Sequence, residues 1–201
     1  MKNIISQGAE AILIKENSLI IKNRIKKSYR IPQLDEKLRK QRTRKEIRIL
    51  EKASLLIPVP KIISFSEKSN IIKMEYINGK KLSDHLDRLK NAIKISEMIG
   101  KNIAKLHDNN IIHGDLTTSN MIYSKNKVYF IDFGLSFESS KIEDKAVDLH
   151  LIKEALEAKH FKHADKLFKS ILQGYKTSKN YKETLSRLKK VELRGRYKQQ
   201  Y

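Results

Sequence analysis

Residues 113–120 read His-Gly-Asp-Leu-Thr-Thr-Ser-Asn, and residues 131–134 read Ile-Asp-Phe-Gly. The first stretch places Asp115 and Asn120 five positions apart, and the second adds Asp132 after a short apolar run. That run predicts a strand, so the two stretches flank one small structural unit. Carboxylate and amide oxygens suit Mg²⁺, a hard cation. The spacing therefore predicts that three oxygen-bearing side chains converge on a metal and the phosphates that it binds.

The two stretches match the catalytic loop and the metal-binding segment of the protein kinase fold. Phosphoryl transfer depends on holding metal ions against the phosphates and orienting a nucleophile in line. In that interpretation Asp132 holds Mg²⁺ at the ATP phosphates, Asn120 ligates a second ion, and Asp115 accepts a proton from the attacking hydroxyl or water. The alternative is that Asp115 and Asn120 cap turns and Asp132 ends a strand, because Asp, Asn and Gly are common turn residues.

A lysine and a glutamate further upstream are candidates for the remaining catalytic pair. Residues 18–22 read Ser-Leu-Ile-Ile-Lys, which predicts a buried strand that ends in Lys22, the candidate for gripping the α- and β-phosphates. Glu46, on a helix predicted over residues 35–52, would fix that lysine, and Asp35 is a candidate cap for the helix. In so lysine-rich a chain, Lys22 and Glu46 could also be ordinary surface charges.

The loop expected to cover the phosphates lies at residues 6–11, Ser-Gln-Gly-Ala-Glu-Ala, and it offers a single glycine. Gly8 permits a tight turn and a close approach of backbone to phosphate, with Ala9 and Glu10 beside it. A simple hairpin turn explains the same residues. Gly8, Ala9 and Glu10 are thus candidate nucleotide contacts.

The adenine site is expected where residues 71–79, Ile-Ile-Lys-Met-Glu-Tyr-Ile-Asn-Gly, leave a strand and enter a turn. By position, Met74 would back the adenine, and backbone groups of Glu75 and Ile77 would read its edge. A core methionine at the end of a strand is the alternative for Met74.

Nearly the whole chain resembles the PRPK-type atypical kinases, the kinase-fold subunits of the KEOPS (EKC) complex. The resemblance rests on residues 22–35, 42–46, 113–120, 132–137, 143–149 and 193–196. It implies a small bilobal protein, described as a serine/threonine kinase, that acts mainly as an ATPase within its complex. It also implies tRNA threonylcarbamoyladenosine modification, contact with the threonylcarbamoyltransferase subunit, and a small regulatory subunit on the N-terminal lobe.

Departures from ordinary protein kinases agree with that resemblance. Gly114 replaces the arginine that pairs with a phosphate on the activation loop, and Thr117 replaces a lysine that helps to neutralise the transferred phosphate. Beyond Gly134 the chain lacks the Ala-Pro-Glu that closes a conventional activation segment. Efficient phosphorylation of many proteins is therefore not expected.

The predicted fold class is α+β, a small bilobal protein-kinase-like fold. Residues 1–77 would form the N-terminal lobe, an antiparallel sheet plus the helix at 35–52, and residues 78–201 a mostly helical C-terminal lobe. A helix over residues 91–109 follows from apolar residues at helical spacing. These are Ile95, Ile99, Ile103 and Leu106. A second apolar stripe is predicted to be packing on one helix face; its members are Phe161, Ala164, Phe168, Ile171 and Tyr175.

Charge is the second strong signal, because 43 Lys and Arg against 23 acids give a formal net charge of +20. Such an excess favours a polyanionic partner, here tRNA. Arg39 and Arg42 share a face of the first helix with Glu46. A C-terminal cluster comprises Lys189, Lys190, Arg194, Arg196 and Lys198, with Gly195 expected to break the last helix. The alternative is a pair of solvated basic faces.

The absence of cysteine excludes disulfides and is consistent with a reducing cytosol. No apolar stretch approaches the roughly 20 residues that a bilayer crossing needs, so a cytoplasmic protein without membrane contact is expected. Two other functions remain open. One is a small-molecule phosphotransferase of the aminoglycoside or choline kinase type, which also uses His-Gly-Asp. The other is a non-catalytic RNA-binding adaptor, although such a scaffold would not need Lys22, Glu46, Asp115, Asn120 and Asp132 together.

Overall fold

A computed structural model describes residues 2–8 and 10–197, and the N-terminal part is an antiparallel sheet with one helix. The sheet order is β1-β2-β3-β5-β4. The strands are β1 (Lys2–Gln7), β2 (Ala11–Glu16), β3 (Leu19–Arg24), β4 (Ile62–Ser66) and β5 (Ile71–Glu75). β3 is the central strand, bonded to β2 on one side and β5 on the other. Side chains that β3 directs toward the helix are therefore shielded from solvent.

Helix α1 (Pro32–Ser54) is longer than predicted. It begins at Pro32 because proline has a φ that suits the first turn and lacks an N–H that would need a partner there. The expectation that Asp35 caps the helix is wrong. Asp35 lies inside the first turn, is fully buried, and accepts a hydrogen bond from Arg39 Nε at 2.7 Å.

The remaining chain is mostly helical, with short strands between the helices. The elements are β6 (Lys80–Lys81), α2 (Leu82–His85), α3 (Ala92–Asp108), β7 (Ile111–Ile112), β8 (Met121–Ser124), β9 (Lys127–Phe130), β10 (Phe137–Glu138), α4 (Ile142–Lys159), α5 (Ala164–Tyr175) and α6 (Tyr181–Tyr197). The predicted order, a sheet with one helix followed by a helical part, is confirmed. The division at residues 77 and 78 stays a prediction.

The packing of α3 against α5 follows the predicted apolar spacing. Ile95, Ile99 and Ile103 are each fully buried. The close approach of the two helices was not predicted. A Cβ on Gly100 would overlap the carbonyl oxygen of Ile171, and one on Gly174 would overlap that of Glu97. Two glycines thus let the helix backbones touch, which fixes α5 against α3.

Two expectations about the later helices are wrong. Phe161 is 72% exposed because α5 begins only at Ala164, so its side chain is not part of the buried stripe. Gly195 does not break the last helix, because α6 continues to Tyr197. Within residues 2–8 and 10–197, every helix is too short or too polar to span a bilayer.

Candidate active site

Two cations on β3 meet one carboxylate on α1. Lys22 and Arg24 are two residues apart on a strand and therefore point to the same face of the sheet. Lys22 Nζ donates to Glu46 Oε1 at 2.5 Å, and Arg24 Nη2 donates to Glu46 Oε2 at 2.5 Å. All three side chains are buried. The predicted Lys22–Glu46 pair is present, and Arg24, which the sequence interpretation missed, completes it.

Lys22 also joins the two halves of the chain, because its Nζ lies 2.8 Å from Asp132 Oδ1. Burial on its own would lower the pKa of Lys22, but attraction to Glu46 and Asp132 outweighs it, so the pKa lies above the usual lysine value. Burial would likewise raise the pKa of Asp132, but the Lys22 ammonium brings that pKa below the usual value. Both groups are therefore charged near neutral pH.

The catalytic-loop residues Asp115 and Asn120 are hydrogen-bonded to each other. Asn120 Nδ2 donates to Asp115 Oδ2 at 2.8 Å and to the Asp115 carbonyl oxygen at 3.0 Å. Because both partners are acceptors, the amide orientation is fixed, and Asn120 Oδ1 is the atom left to bind a cation. The loop thus presents one carboxylate and one amide oxygen from a single turn.

A buried aspartate anchors that loop from below. Asp148, on α4, accepts the backbone N–H of His113 at 2.7 Å and that of Gly114 at 2.8 Å. It also lies 3.3 Å from His107 Nε2, and His107 Nδ1 lies 2.9 Å from the Tyr175 hydroxyl. A lone Asp in a helix carries no local sequence signal for this role. Its position opposite the loop emerges only from the packing of α4.

His113 ties the catalytic loop to the segment that carries Asp132. Its Nε2 lies 3.2 Å from the Ile131 carbonyl oxygen, while its Nδ1 accepts the Asp115 N–H at 3.3 Å. One ring nitrogen donates and the other accepts, which is the pattern of a neutral imidazole. Burial lowers the pKa of His113 despite the opposing attraction of Asp148, in agreement with that neutral form.

The geometry of Gly114 explains the missing arginine of the catalytic loop. Gly114 has φ of +78°, and a Cβ there would lie 2.7 Å from the Leu135 carbonyl oxygen. An L-residue rarely adopts that conformation, and the space for a side chain is already taken. The Leu135 backbone therefore packs directly on the loop, and an arginine at position 114 would require both segments to move.

A second support reaches the turn between Asp115 and Asn120. His160 Nε2 lies 3.1 Å from the Thr118 hydroxyl, and His160 Nδ1 lies 2.9 Å from Asp87 Oδ2. His160 and Thr118 are both buried. This Asp-His-Thr chain holds the catalytic turn against the junction between α4 and α5, and no local pattern in the sequence indicates it.

A cleft of about 320 Å³ opens between the sheet and the catalytic loop. Met74, Glu75 and Ile77 line it on one side, and Asn120 and Asp132 on the other. The cleft also contains Lys22 and Glu46, so residues predicted from five separate stretches share one crevice. Its size is that of a small-molecule pocket.

The backbone at the adenine edge has one free donor in the expected place. The N–H of Glu75 donates to the Lys61 carbonyl, and that of Tyr76 to the Ser18 carbonyl, both at 2.9 Å. Among the hydrogen bonds found in the described residues, none uses the N–H of Ile77. The Ile77 N–H is thus available to a ligand, and contact of Met74, Glu75 and Ile77 with adenine stays a prediction.

The covering loop is tied to α1 through its acid. The Gly8 N–H donates to the Ala11 carbonyl at 3.0 Å, which closes a tight turn, and Ala9 lies outside the described residues. Glu10 is bonded to Arg42 and, at 3.4 Å, to Arg30. The hydrogen bond from Arg42 lowers the pKa of Glu10, against a smaller effect of burial. Nucleotide contact by Gly8, Ala9 and Glu10 stays a prediction.

The basic residues predicted to touch nucleic acid lie in two places. Arg39 and Arg42 lie on α1, where Arg39 pairs with Asp35 of the same helix and Arg42 pairs with Glu10 of the covering loop. Lys189 and Lys190 are exposed on α6, and exposed Arg194 pairs with Glu143 at 2.6 Å. The side chain of Arg196 and all of Lys198 lie outside the described residues. Nucleic-acid contact stays a prediction for both groups.

The cleft fits a metal that arrives with a nucleotide. No group of three or more His, Cys, Asp or Glu in the described part of the chain could hold a metal ion by itself. On its catalytic-loop side the cleft instead offers the carboxylate of Asp132 and the amide of Asn120, while Glu46 in the same cleft is bonded to Lys22 and Arg24. Mg²⁺ in phosphate sites is commonly held by one or two carboxylates together with the substrate phosphates and water. The oxygen donors present match that requirement.

Comparisons with known proteins point to one family. The family described as the RIO domain matches residues 15–149. The chain is similar to the KEOPS complex subunit Bud32 of Pyrococcus abyssi, with 44% identity across 98% of this chain and 96% of that protein. It is also similar to a probable bifunctional tRNA threonylcarbamoyladenosine biosynthesis protein of Methanobrevibacter smithii, with 41% identity over 97% of this chain. The chain spans only 37% of that longer protein.

A solved structure shares the fold. It is the ternary complex of streptomycin, ATP and APH(2")-IIa, which matches with a TM-score of 0.61 and 15% identity. The match covers 94% of this chain and 82% of the other. At that identity the likeness concerns the fold, and it confirms the kinase-like α+β architecture.

Proposed function

Because the chain belongs to the RIO-domain family and, within it, to the family of the KEOPS subunit Bud32, we propose that it is an atypical serine/threonine kinase and ATPase. In this proposal it consumes Mg-ATP in support of threonylcarbamoyladenosine modification of tRNA. The names of two relatives, one a KEOPS subunit and the other a threonylcarbamoyladenosine biosynthesis protein, support that role. Serine/threonine phosphorylation, including autophosphorylation, and ATP hydrolysis both require bound Mg-ATP and a nucleophile aligned with the terminal phosphate.

The observation that carries the proposal is the position of Lys22 between Glu46 at 2.5 Å and Asp132 at 2.8 Å. These residues come from β3, α1 and the segment after β9, and they meet at a cleft of nucleotide size. A buried lysine and two carboxylates are costly to assemble without a purpose. Their convergence fits a site that grips phosphates and their metal.

Each side chain has a distinct task in this mechanism. Lys22 would bind the α- and β-phosphates while Glu46 keeps it oriented. Asp132 and Asn120 would hold Mg²⁺, which when bound supplies charge stabilisation to the transferring phosphate. Asp115, which is not among the described residues that line the cleft, would accept the proton of the attacking hydroxyl or water, and the hydrogen bond from Asn120 Nδ2 fixes its carboxylate.

Little chain is present to seat a protein substrate. Helix α4 begins at Ile142, eight residues after Gly134. Leu135 packs its carbonyl against the catalytic loop at Gly114, so part of this short segment is already occupied. This favours water, the protein itself or a bound partner as acceptor over many free peptides. The proposed partners are the threonylcarbamoyltransferase subunit, a small regulatory subunit on the N-terminal lobe, and tRNA.

ATP turnover by the full chain tests this function. We expect phosphate release to depend on Mg²⁺ and to rise when the threonylcarbamoyltransferase subunit and tRNA are both present. An aminoglycoside or choline as the added acceptor serves as the comparison for a small-molecule phosphotransferase. Stimulation by such a cation, with no response to tRNA and partner, would contradict the proposal. Absence of any turnover under all conditions would favour the adaptor function.

Removing the C-terminal residues from Arg194 onward should weaken tRNA binding by the assembled complex. The truncation deletes the cations Arg194, Arg196 and Lys198, and each lost phosphate contact should reduce the slope of log affinity against log salt by roughly one unit. A variant with three exposed lysines replaced by glutamine, Lys159, Lys162 and Lys166, is the charge-matched control. The proposal that the C-terminal residues contact tRNA is contradicted if the truncation and the control change the slope of log affinity against log salt equally. It is also contradicted if the truncation leaves that slope unchanged.

A further inference from the structure

Arg24 is a buried cation for which the proposed chemistry has no use. It is 4% exposed, and its Nη2 donates to Glu46 Oε2. Its Nε is buried with no hydrogen-bond partner among the described residues. An arginine confined in this way is expensive to bury, and the carboxylate it contacts is the one that orients Lys22. Its presence therefore calls for a role beyond surface charge.

Glu46 has two oxygens, and each has its own cation. Lys22 takes Oε1 and Arg24 takes Oε2. Lys22 also donates a hydrogen bond to Asp132. In the proposed function it must in addition donate hydrogen bonds to the phosphates of ATP. Among the described residues, Arg24 forms an ion pair with Glu46 and with no second acid. The contact that stays constant through a catalytic cycle is thus the one between Arg24 and Glu46.

Arg24 supports the site from behind and does not line it. The residues around the cleft include Lys22, Glu46 and Asp132, and among the described residues that line it Arg24 is absent. A Cβ placed on Gly134 would lie 3.4 Å from Lys22 Nζ and 3.7 Å from Arg24 Nη2. The guanidinium is therefore beside the metal-binding segment, next to Lys22, but covered.

We propose that Arg24 is a positioning residue that anchors Glu46 and α1 to β3 independently of Lys22, so that the catalytic arrangement is held together without phosphorylation of an activation segment. Ordinary kinases secure the corresponding helix through a phosphate-binding arginine in the catalytic loop. Here Gly114 occupies that position, at a φ that an arginine rarely adopts. Arg24 supplies a permanent ion pair from within the sheet in its place.

Hydrogen exchange of the α1 amides around Glu46 tests the anchor without any need for activity. Lys22→Met leaves the Arg24–Glu46 pair intact, so we expect exchange within about threefold of the wild-type rate. Lys22→Met combined with Arg24→Met leaves Glu46 buried without a cation, and exchange should rise at least about tenfold. Arg44, which is also on α1, forms an exposed ion pair with Glu67 in the turn after β4, so Arg44→Met is the matched control, with no change in exchange expected.

The proposal is overturned if Lys22→Met alone raises exchange as much as the double change, or if the double variant exchanges like the wild type. If the double variant does not fold, the ATP turnover of the single variants tests the anchor instead. That measurement rests on the proposed function. Arg24→Met should then lower kcat for ATP by about tenfold or more with a smaller change in KM, because Lys22 is misplaced. Arg24→Lys, which keeps the charge, should recover part of that loss. If folded Arg24→Met keeps the wild-type kcat and KM, the proposal that Arg24 anchors Glu46 is refuted. If the wild-type protein has no ATP turnover, the proposed function is refuted, and the anchor proposal is still decided by hydrogen exchange.

Discussion

Replacing Asp132 with alanine should reduce Mg-dependent ATP turnover by at least about a hundredfold while the protein stays folded. Asp132 is the only carboxylate besides Glu46 among the described residues that approaches Lys22 within ion-pair distance. Its side chain is 46% exposed and faces the cleft, so its removal opens no cavity in the core. Lys22 keeps its buried bond to Glu46 in the variant.

The backbone at Asp132 requires a second variant. Asp132 has φ of +62°, in the left-handed region that asparagine tolerates better than alanine. Asp132→Asn therefore removes the charge with little backbone strain, and it should lose turnover nearly as completely as Asp132→Ala. Asp165→Ala, an exposed acid on α5, is the control. Phosphate release that is undiminished in both Asp132 variants would refute the metal assignment.

Replacing Asp115 with asparagine should lower kcat by about 10²–10⁴ with little effect on nucleotide affinity. The variant is informative because it preserves the loop. An asparagine oxygen at position 115 can still accept the bond from Asn120 Nδ2, and the backbone contacts to Asp148 do not involve the side chain of Asp115. The change therefore removes a proton acceptor and leaves the geometry in place.

The measurement is single-turnover phosphate release together with equilibrium binding of ATP. A fall in affinity with unchanged kcat would show that Asp115 serves binding and is not the base. The exposed Asp84→Asn provides a control for the loss of one negative charge. An unchanged kcat and unchanged affinity would remove Asp115 from the mechanism altogether.

Much of the fold was predictable because its signals are local. Isoleucines at helical spacing predicted α3, and they are buried as expected. The apolar stretch that ends at Lys22 predicted β3, and the apolar run before Asp132 predicted β9, although the paired strand β8 was not predicted. The wrong predictions concerned the ends of helices. Proline started α1 ahead of Asp35, and Phe161 fell outside α5.

The supports of the site were not predictable in the same way. Asp148, His107 and His160 are single polar residues in helices or helix ends, where polar residues are ordinary. Asp148 and His160 become hydrogen-bond partners of the catalytic loop, and His107 a partner of Asp148, only because α3, α4 and α5 pack around the loop. Arg24 is a similar case, since a chain with 43 Lys and Arg gives no local reason to single out one arginine.

The order of residues by itself determined which chemistry this protein can offer. Asp115, Asn120 and Asp132 stand at intervals set by one turn and the β8–β9 hairpin, and short-range geometry of that kind is written in the sequence. Only the tertiary structure decided which cations bind the carboxylates of the site. Burial against β3 and α1 selects Lys22 and Arg24, because a buried carboxylate binds the cations that packing brings to it, however many others the chain contains.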